Sequence, residues 1–242
     1  MKQLLPFLLA VLPSFSCAQS AFPFPDKLPV KAPVSPPSVP ALTLNFSPLA
    51  TLDPNTSTLL FGVEYRLSQR IGVAAEYGAR FRPLQLTGFG LTKNKNDYHY
   101  YKIKAEVRYY LPPIDKHPHQ EIYMALQPFF VPQTYTRYND NYVVNDIHIG
   151  YDRADVKKTV TGLDFKLGFI WHYGPSWQLE VGGGLGIRHV SVAYQTDREF
   201  LEQRANQFQV NMFNQSEKPG SGLDFDVATV CKVGYRFGLP RR

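Results

Sequence analysis

Residues 101–111, YKIKAEVRYYL, contain the pattern that decides the fold of this chain. Polar and apolar side chains alternate along the whole stretch. One face carries Lys102, Lys104, Glu106, Arg108 and Tyr110. The other face carries Tyr101, Ile103, Ala105, Val107, Tyr109 and Leu111. Because successive side chains of a β-strand point to opposite sides, this period of two predicts a strand with one polar and one apolar face.

The same alternation recurs on both sides of this stretch and predicts eight strands. They are 41–49, 57–68, 70–81, 98–111, 121–137, 159–173, 177–194 and 224–237. Several exceed the five or six residues usual in soluble sheets, whereas a tilted membrane-crossing strand needs about 9–11. In the seventh strand the apolar face changes parity after Arg188, since Val190, Val192 and Tyr194 now carry it. That change predicts a β-bulge near His189.

The connections between these strands alternate in length. Short or Pro-stiffened connections are Gln69 alone, 112–120 and 174–176. After the first connection, 50–56, the others are long and polar: 82–97, 138–158 and 195–223. A membrane barrel with both termini in the periplasm has short periplasmic turns and long outer loops in this order.

Alternation alone leaves open which face points inward, because a lipocalin-like soluble barrel also alternates. Here the polar face combines charges of both signs with many glycines, which suits the crowded interior of eight strands. Aromatic residues collect at the ends of the apolar faces, as in an interfacial girdle. We therefore expect an all-β, eight-stranded antiparallel up-and-down transmembrane β-barrel with its apolar face outward, and a lipocalin-like soluble binder as the alternative.

Composition and the N-terminus fit an exported barrel. The chain has 242 residues, a formal charge of +6 and 14% aromatic residues, and its basic residues form neither a cluster nor a nucleic-acid-binding module. Lys2, the apolar run 4–12 and the small residues before Gln19 predict a signal peptide. The predicted segments are a signal peptide 1–18, a Pro-rich periplasmic leader 19–40, a barrel 41–238 and a basic tail 239–242. Lipidation of Cys17 remains an alternative; without it, only Cys231 stays in the mature chain.

Several segments resemble an uncharacterised family of outer-membrane barrels in the OmpA-like group. They are ALTLNFSPLA at 41–50, GVEYRL at 62–67, IGVAAEY at 71–77, KAEVRYY at 104–110, WQLEVGGGLG at 177–186 and VGYRF at 233–237. Departures are Tyr110 where the family often has Trp, the long segment 195–223, and the tail after Phe237. The resemblance implies fold and location and no chemistry.

Charged residues on the polar faces predict a network in the lumen. Its predicted members are Glu64, Arg66, Glu76, Arg80, Lys102, Lys104, Glu106, Arg108, Asp164, Lys166, Glu180 and Arg188. A selective pore would use such charges, but a narrow lumen also requires buried charges to be paired. We favour a neutralising network that plugs the lumen.

The sequence indicates no catalytic, metal or cofactor site. His172, His189 and Ser191 are the candidates for nucleophilic catalysis, and nothing around them marks an activated group. His117 and His119 flank a proline without a third ligand nearby. The acidic residues between 139 and 155 do not follow the spacing of a calcium loop.

Two classes of function follow. The first is a structural or surface-interaction barrel whose long loops meet an unidentified external partner. Its other expected partners are outer-membrane lipid, lipopolysaccharide and the barrel-assembly machinery, with no nucleic acid. The second is a lipid-modifying enzyme of the lipase or deacylase type.

Overall fold

The computed structural model describes residues 41–53, 56–81, 95–112, 120–144, 147–201 and 219–237. Eight antiparallel strands close into one barrel in chain order, which confirms the expected fold class. They are β1 (Ala41–Ser47), β2 (Thr58–Arg66), β3 (Ile71–Arg80), β4 (Asn96–Tyr110), β5 (Gln120–Val144), β6 (Ile147–Tyr173), β7 (Trp177–Leu201) and β8 (Gly220–Phe237). A short 3₁₀ turn, Pro48–Leu52, follows β1, and no helix in the described ranges is long and apolar enough to cross a membrane.

The strand register fixes the stagger of the barrel. Cross-strand pairs can be followed from strand to strand around the ring. Starting at Val233 of β8, they pass through the seven other strands and return to β8 at Leu223, ten residues from the starting point. Such a stagger in eight strands tilts them by roughly 40° and leaves an interior that side chains can fill. The lumen is therefore narrow, and the inward-pointing residues of all eight strands lie in it.

An apolar belt surrounds the barrel. Exposed side chains on the outer face include Phe61, Val107 and Leu185, at 58%, 57% and 59%. On β7 the belt runs from Trp177 to Ile187, which matches the roughly 9–11 residues of a membrane-spanning strand. A continuous apolar band of this height is incompatible with water on all sides. The apolar-outward arrangement is confirmed, and the lipocalin-like alternative is wrong.

Aromatic side chains mark both edges of the belt. At the lower edge, Trp177 packs edge-on against Tyr235 at 5.2 Å between ring centroids, and Tyr235 against Phe237 at 4.9 Å. Toward the upper edge, Tyr101 lies between Tyr77 and Phe130, at 6.2 and 6.4 Å. Rings of this kind prefer the boundary between hydrocarbon and water.

The lower end of the barrel has tight connections. Between β2 and β3, the backbone N–H groups of Leu67 and Ser68 both donate to the carbonyl of Ile71. The Ser68 hydroxyl accepts bonds from the next backbone N–H groups, at Arg70 and Ile71. Between β6 and β7, Gly174 adopts the left-handed φ of +64° that a turn of this length requires.

The upper end differs from expectation, because strands extend into two of the predicted loops; residues 145–146 and 202–218 of these loops lie outside the described residues. Segment 138–158 forms the upper parts of β5 and β6, paired from Gln120↔Trp171 to Val144↔Ile147. Segment 195–223 contributes the last residues of β7 and the first of β8. The loop assignment was wrong for 138–144, 147–158, 195–201 and 220–223, because these stretches are polar and lack the apolar outer face that identifies a strand in the belt.

The predicted bulge near His189 is also wrong. Pairing between β6 and β7 continues in one register from Leu163↔Ile187 through Thr161↔His189 to Val156↔Tyr194. What changes is the surroundings. Below His189 the outward positions are apolar, and above it the inward positions Val190 and Val192 are the buried ones, at 7% and 4% exposure. The apolar side chains change face because the strand leaves the membrane.

Near their upper ends, β5, β6 and β7 share one irregular row of residues. Asn139 and Arg198 have left-handed φ values of 50° and 52°, and the pairing skips Asp152 on β6 between them. Past this row Tyr151, at 0% exposure, joins the buried aromatic cluster. The hydroxyl of Tyr142 donates to Glu199 at 2.9 Å, and burial together with this bond raises the pKa of Tyr142.

Candidate functional site

The lumen of the membrane-spanning part contains the largest set of buried charged groups in the described residues. At its lower end Arg66 forms a two-pronged ion pair with Glu121, at 3.0 and 2.6 Å. His172 Nε2 lies 3.3 Å from Glu121, and Arg236 Nη2 lies 2.9 Å from His172 Nδ1. The Arg66 guanidinium also covers the Tyr110 ring at 3.7 Å. The lower end of the lumen thus contains paired charges.

Arg108 lies at the centre of the lumen and is fully buried. Its Nη1 contacts Glu64 and Glu180, both at 2.9 Å, while its Nε lies 2.9 Å from Glu106. The Tyr123 hydroxyl donates to Glu180 at 2.5 Å. One guanidinium thus joins carboxylates from β2, β4 and β7 across the barrel, and charge-assisted bonds of this kind are the stronger ones in proteins.

Lys232 and Lys166 extend the network one layer upward. The ammonium of Lys232 contacts Glu76 and lies 3.4 Å from Glu106, which Lys166 approaches at 2.7 Å. Lys104 is the direct cross-strand neighbour of Glu76. Five carboxylates and four cations therefore share the middle of the lumen: Glu64, Glu76, Glu106, Asp164, Glu180, Lys104, Arg108, Lys166 and Lys232. Charges of opposite sign placed close together are what a poorly solvated interior requires.

Glycines on the inner face make room for these long side chains. A Cβ at Gly168 would overlap the Tyr123 ring. One at Gly62 would lie 2.8 Å from Glu76 Cγ, and one at Gly184 would lie 2.7 Å from Lys166 Cγ. The glycine positions thus accommodate side chains from neighbouring strands.

The described residues of the first connection, between β1 and β2, contact β4 at the upper end of the lumen. Asp53 lies just after the 3₁₀ turn and forms an ion pair of 2.5 Å with Lys102. The Tyr100 hydroxyl donates to the carbonyl of Ser57 at 2.5 Å. Thr51 and Ser57 are buried, at 8% and 2% exposure. The segment between β1 and β2 therefore contacts side chains of β4, which is separated from β2 by β3 in the ring.

Above the belt the interior becomes apolar and aromatic. The buried cluster there consists of Tyr98, Tyr100, Val131, Tyr135, Tyr151, Ala154, Val156, Val160, Val190 and Val192. Tyr98 packs on Tyr100 at 4.6 Å and on Tyr135 at 5.6 Å, and its hydroxyl donates to Gln133 at 2.8 Å. The outward neighbours, such as Lys157 and Arg153, are exposed to water.

The structure places most predicted site residues in this interior. Buried ones are Glu64, Arg66, Glu76, Lys102, Glu106, Arg108, Asp164, Lys166 and Glu180. Lys104 is half-buried among them, whereas Arg80 and Arg188 lie nearer the upper rim, with Arg80 5.4 Å from the Tyr98 ring.

Sequence reasoning left several interior residues out of the network. They include Glu121, Tyr123, His172, Lys232 and Arg236. Lys232 and Arg236 share the polar parity of β8, so the signal was present in the alternation. The alternation did not show that these residues contact the network, because only the stagger of the barrel determines which inward residues lie at the same height.

The candidates for catalysis do not come together. His172 lies in the lower lumen, whereas His189 and Ser191 lie on the outer face of β7 at the top of the belt. No hydrogen bond joins His189 to Ser191 in the described part of the chain. No group of three His, Cys, Asp or Glu side chains in these residues could hold a metal ion. His117 and His119 lie outside the described residues.

No model of a protein family matches the chain, and no curated protein matches it significantly. Among solved structures, it is similar to a major outer membrane protein from Thermus thermophilus, at 12% identity and a TM-score of 0.36, over 81% of this chain and 98% of that one. It is also similar to CarO of Acinetobacter baumannii, at 11% identity and 0.35, over 86% and 99%. Similarities at these scores carry no argument. Membership of the uncharacterised barrel family stays a prediction.

Proposed function

We propose that this chain is an integral β-barrel of the Gram-negative outer membrane, with a plugged polar lumen and a structural or surface-interaction role. The observation that carries the proposal is the network around Arg108, which fills the lumen at the depth where the outer face is most apolar. Closed barrels of this kind span outer membranes because every backbone group in the bilayer must be paired.

The plug follows from the energetics of buried charge. Arg108 and Glu180 are both 0% exposed and lie 2.9 Å apart. Separating such a pair leaves an uncompensated charge in a poorly solvated space, which costs about 3–5 kcal/mol. Ion passage would require several of these contacts to break together. A barrel whose lumen is blocked by these ion pairs does not conduct ions. Its role is structural, and its upper strands are exposed to external partners.

The upper parts of β5, β6 and β7 supply the surface for an external partner. Their outward face carries exposed polar residues, including Arg153, Asp155 and Lys157. The belt below contacts lipid and, in the outer leaflet, lipopolysaccharide. The barrel-assembly machinery inserts the chain after export, and the mature chain begins near Gln19. An intact Met1 in the membrane-located protein, seen by mass spectrometry, would contradict the cleaved signal peptide.

Planar-bilayer recordings of the refolded protein test the plug. The expected result is no stable stepwise conductance. Replacing both Arg108 and Glu180 by Ala removes the central contact and is expected to produce conductance, whereas Asp140→Ala, in an ion pair with Arg137 above the belt, is the matched control and stays silent. Porin-sized steps from the unmodified protein would refute the plugged barrel and favour transport.

A lipid-modifying enzyme is the second class. His189 and Ser191 do face the outer leaflet, but no acid or hydrogen bond in the described residues organises them. No specific observation favours this function.

A further inference from the structure

Strand β8 is much longer than its neighbour β1. The pairing of β1 with β8 reaches up only to Phe46↔Val233. On its other side, β8 stays paired with β7 as far up as Gly220. Among the described residues, no strand pairs with the β1-facing edge of β8 above Val233.

A proline explains why β1 ends there. Continued in the same register, β1 would place Pro48 opposite Cys231. The backbone N–H of Arg236 donates to the carbonyl of Ser176, so even-numbered residues of β8 bond toward β7 and odd-numbered ones present their backbone groups to β1. Pro48 has no N–H to donate to the carbonyl of Cys231. The odd-numbered residues from Leu223 to Cys231 therefore carry N–H and C=O groups that no strand in the described ranges pairs.

The 3₁₀ turn Pro48–Leu52 lies where β1 would continue, and it contacts both β2 and β8. Its hydrogen bonds lead to the β2 side: the hydroxyl of Ser57, the residue before β2, donates to the carbonyl of Thr51 at 2.5 Å. No backbone hydrogen bond between described residues joins the turn to β8. The boundary between the turn and residues 223–231 of β8, here called the seam, is thus without backbone pairing in the part of the chain that the structure describes.

The seam lies in the upper half of the apolar belt. Val227 pairs with Leu185, and Phe225 pairs with Ile187 at the top of the belt on β7. The outward side chains of all four residues are exposed. Unpaired backbone groups at this depth are costly, because hydrocarbon supplies no hydrogen bonds. The seam therefore favours a membrane molecule that can form them.

We propose that the seam binds the hydroxyacyl chains of lipopolysaccharide in the outer leaflet, a proposal that rests on the outer-membrane location proposed above. Exposed N–H and C=O groups need a partner that both donates and accepts hydrogen bonds. The amide and hydroxyl groups near the acyl linkages of lipopolysaccharide do both, whereas the esters of a glycerophospholipid only accept. The apolar side chains of 223–227 continue the lipid-facing belt, so the acyl chains lie along a surface that already contacts lipid.

Photo-cross-linking tests the seam with two positions at one height. A benzophenone group is attached to Val227→Cys or to Leu185→Cys, in chains whose Cys17 and Cys231 are replaced by Ser, after refolding into phosphatidylcholine vesicles that contain lipopolysaccharide. Leu185 is the matched control, because it pairs with Val227 and is similarly exposed, at 59% against 63%, but lies between two paired strands. We expect about tenfold more cross-linking to lipopolysaccharide from position 227, the ratio that two ordinary hydrogen bonds provide.

Equal yields of lipopolysaccharide at the two positions would overturn the proposal and leave the outer-membrane location intact, because both positions would still label lipid. Cross-links from position 227 to phosphatidylcholine as readily as to lipopolysaccharide would overturn it too, and so would cross-links to another part of the chain or to a second copy. If neither position labels any lipid, the outer-membrane location fails together with the seam site. If a variant does not refold, Phe225→Cys and Ile187→Cys form the replacement pair.

Discussion

Strands β6 and β7 place their apolar side chains on opposite faces below and above the top of the belt. In β6 and β7 below His189, apolar side chains such as Phe165 and Leu185 point outward, while Lys166 fills the interior. Above it, Val156 and Val190 point inward, and Lys157 faces water. The backbone register is continuous through the change.

This comparison shows that the surroundings, and not the backbone, decide which face is apolar. In lipid the outer face must be apolar and the narrow interior can hold paired charges. In water the usual preference returns, and the barrel wall buries an apolar core like that of a soluble protein. A parity change along a barrel strand therefore has two explanations, a bulge or a membrane boundary.

The largest expected effect comes from the charged interior below the boundary. Arg108→Met leaves Glu64, Glu106 and Glu180 without their shared cation and should reduce the free energy of unfolding by about 3–5 kcal/mol. The measurement is reversible urea unfolding in lipid vesicles. The control is Arg153→Met, an exposed arginine above the boundary, for which a change within about 0.5 kcal/mol is expected. Similar losses at both positions would remove the distinction between the two regions.

The outer face provides the next comparison. Val107→Arg places a charge in the lipid-facing belt and should cost about 2–4 kcal/mol. A polar substitution at Lys102 should be far less harmful, because this residue faces the lumen near the rim and Gln can still donate to Asp53. Above the boundary, the outward Lys157→Val should change stability by less than about 0.5 kcal/mol. Equal tolerance at Val107 and Lys102 would contradict the apolar-outward arrangement.

A smaller effect is expected where a glycine accommodates an aromatic ring. In Gly168→Ala, the added methyl group meets the Tyr123 ring and should cost about 1–3 kcal/mol through overpacking. Gly222, whose Cβ would meet nothing within 4 Å, is the matched control above the belt. Stability equal to that of the parent in Gly168→Ala would mean that Tyr123 has room to move, and would weaken the case for a tightly packed plug.

Much of the fold follows from the sequence because the belt imposes a strict alternation on every strand. The run 101–111 identifies β4 and its inward charges without any knowledge of its neighbours. The strand extensions of 138–158 could not be found in this way, since their alternation is weaker and reversed. The pairs of the network, such as Lys232 with Glu106, depend on a stagger accumulated over eight strands. The irregular row at Asn139 and Arg198 depends on pairing as well.

Nitroxide labels at successive positions of β7 from 181 to 197, in a chain whose Cys17 and Cys231 are replaced by Ser, test the polarity change most directly. Accessibility to oxygen reports lipid, and accessibility to a water-soluble nickel complex reports water. We expect odd positions to face lipid up to Ile187 and water from His189 onward, while Val190 and Val192 are reached by neither reagent. A switch of the accessible positions from odd to even at His189 would show a bulge and contradict it.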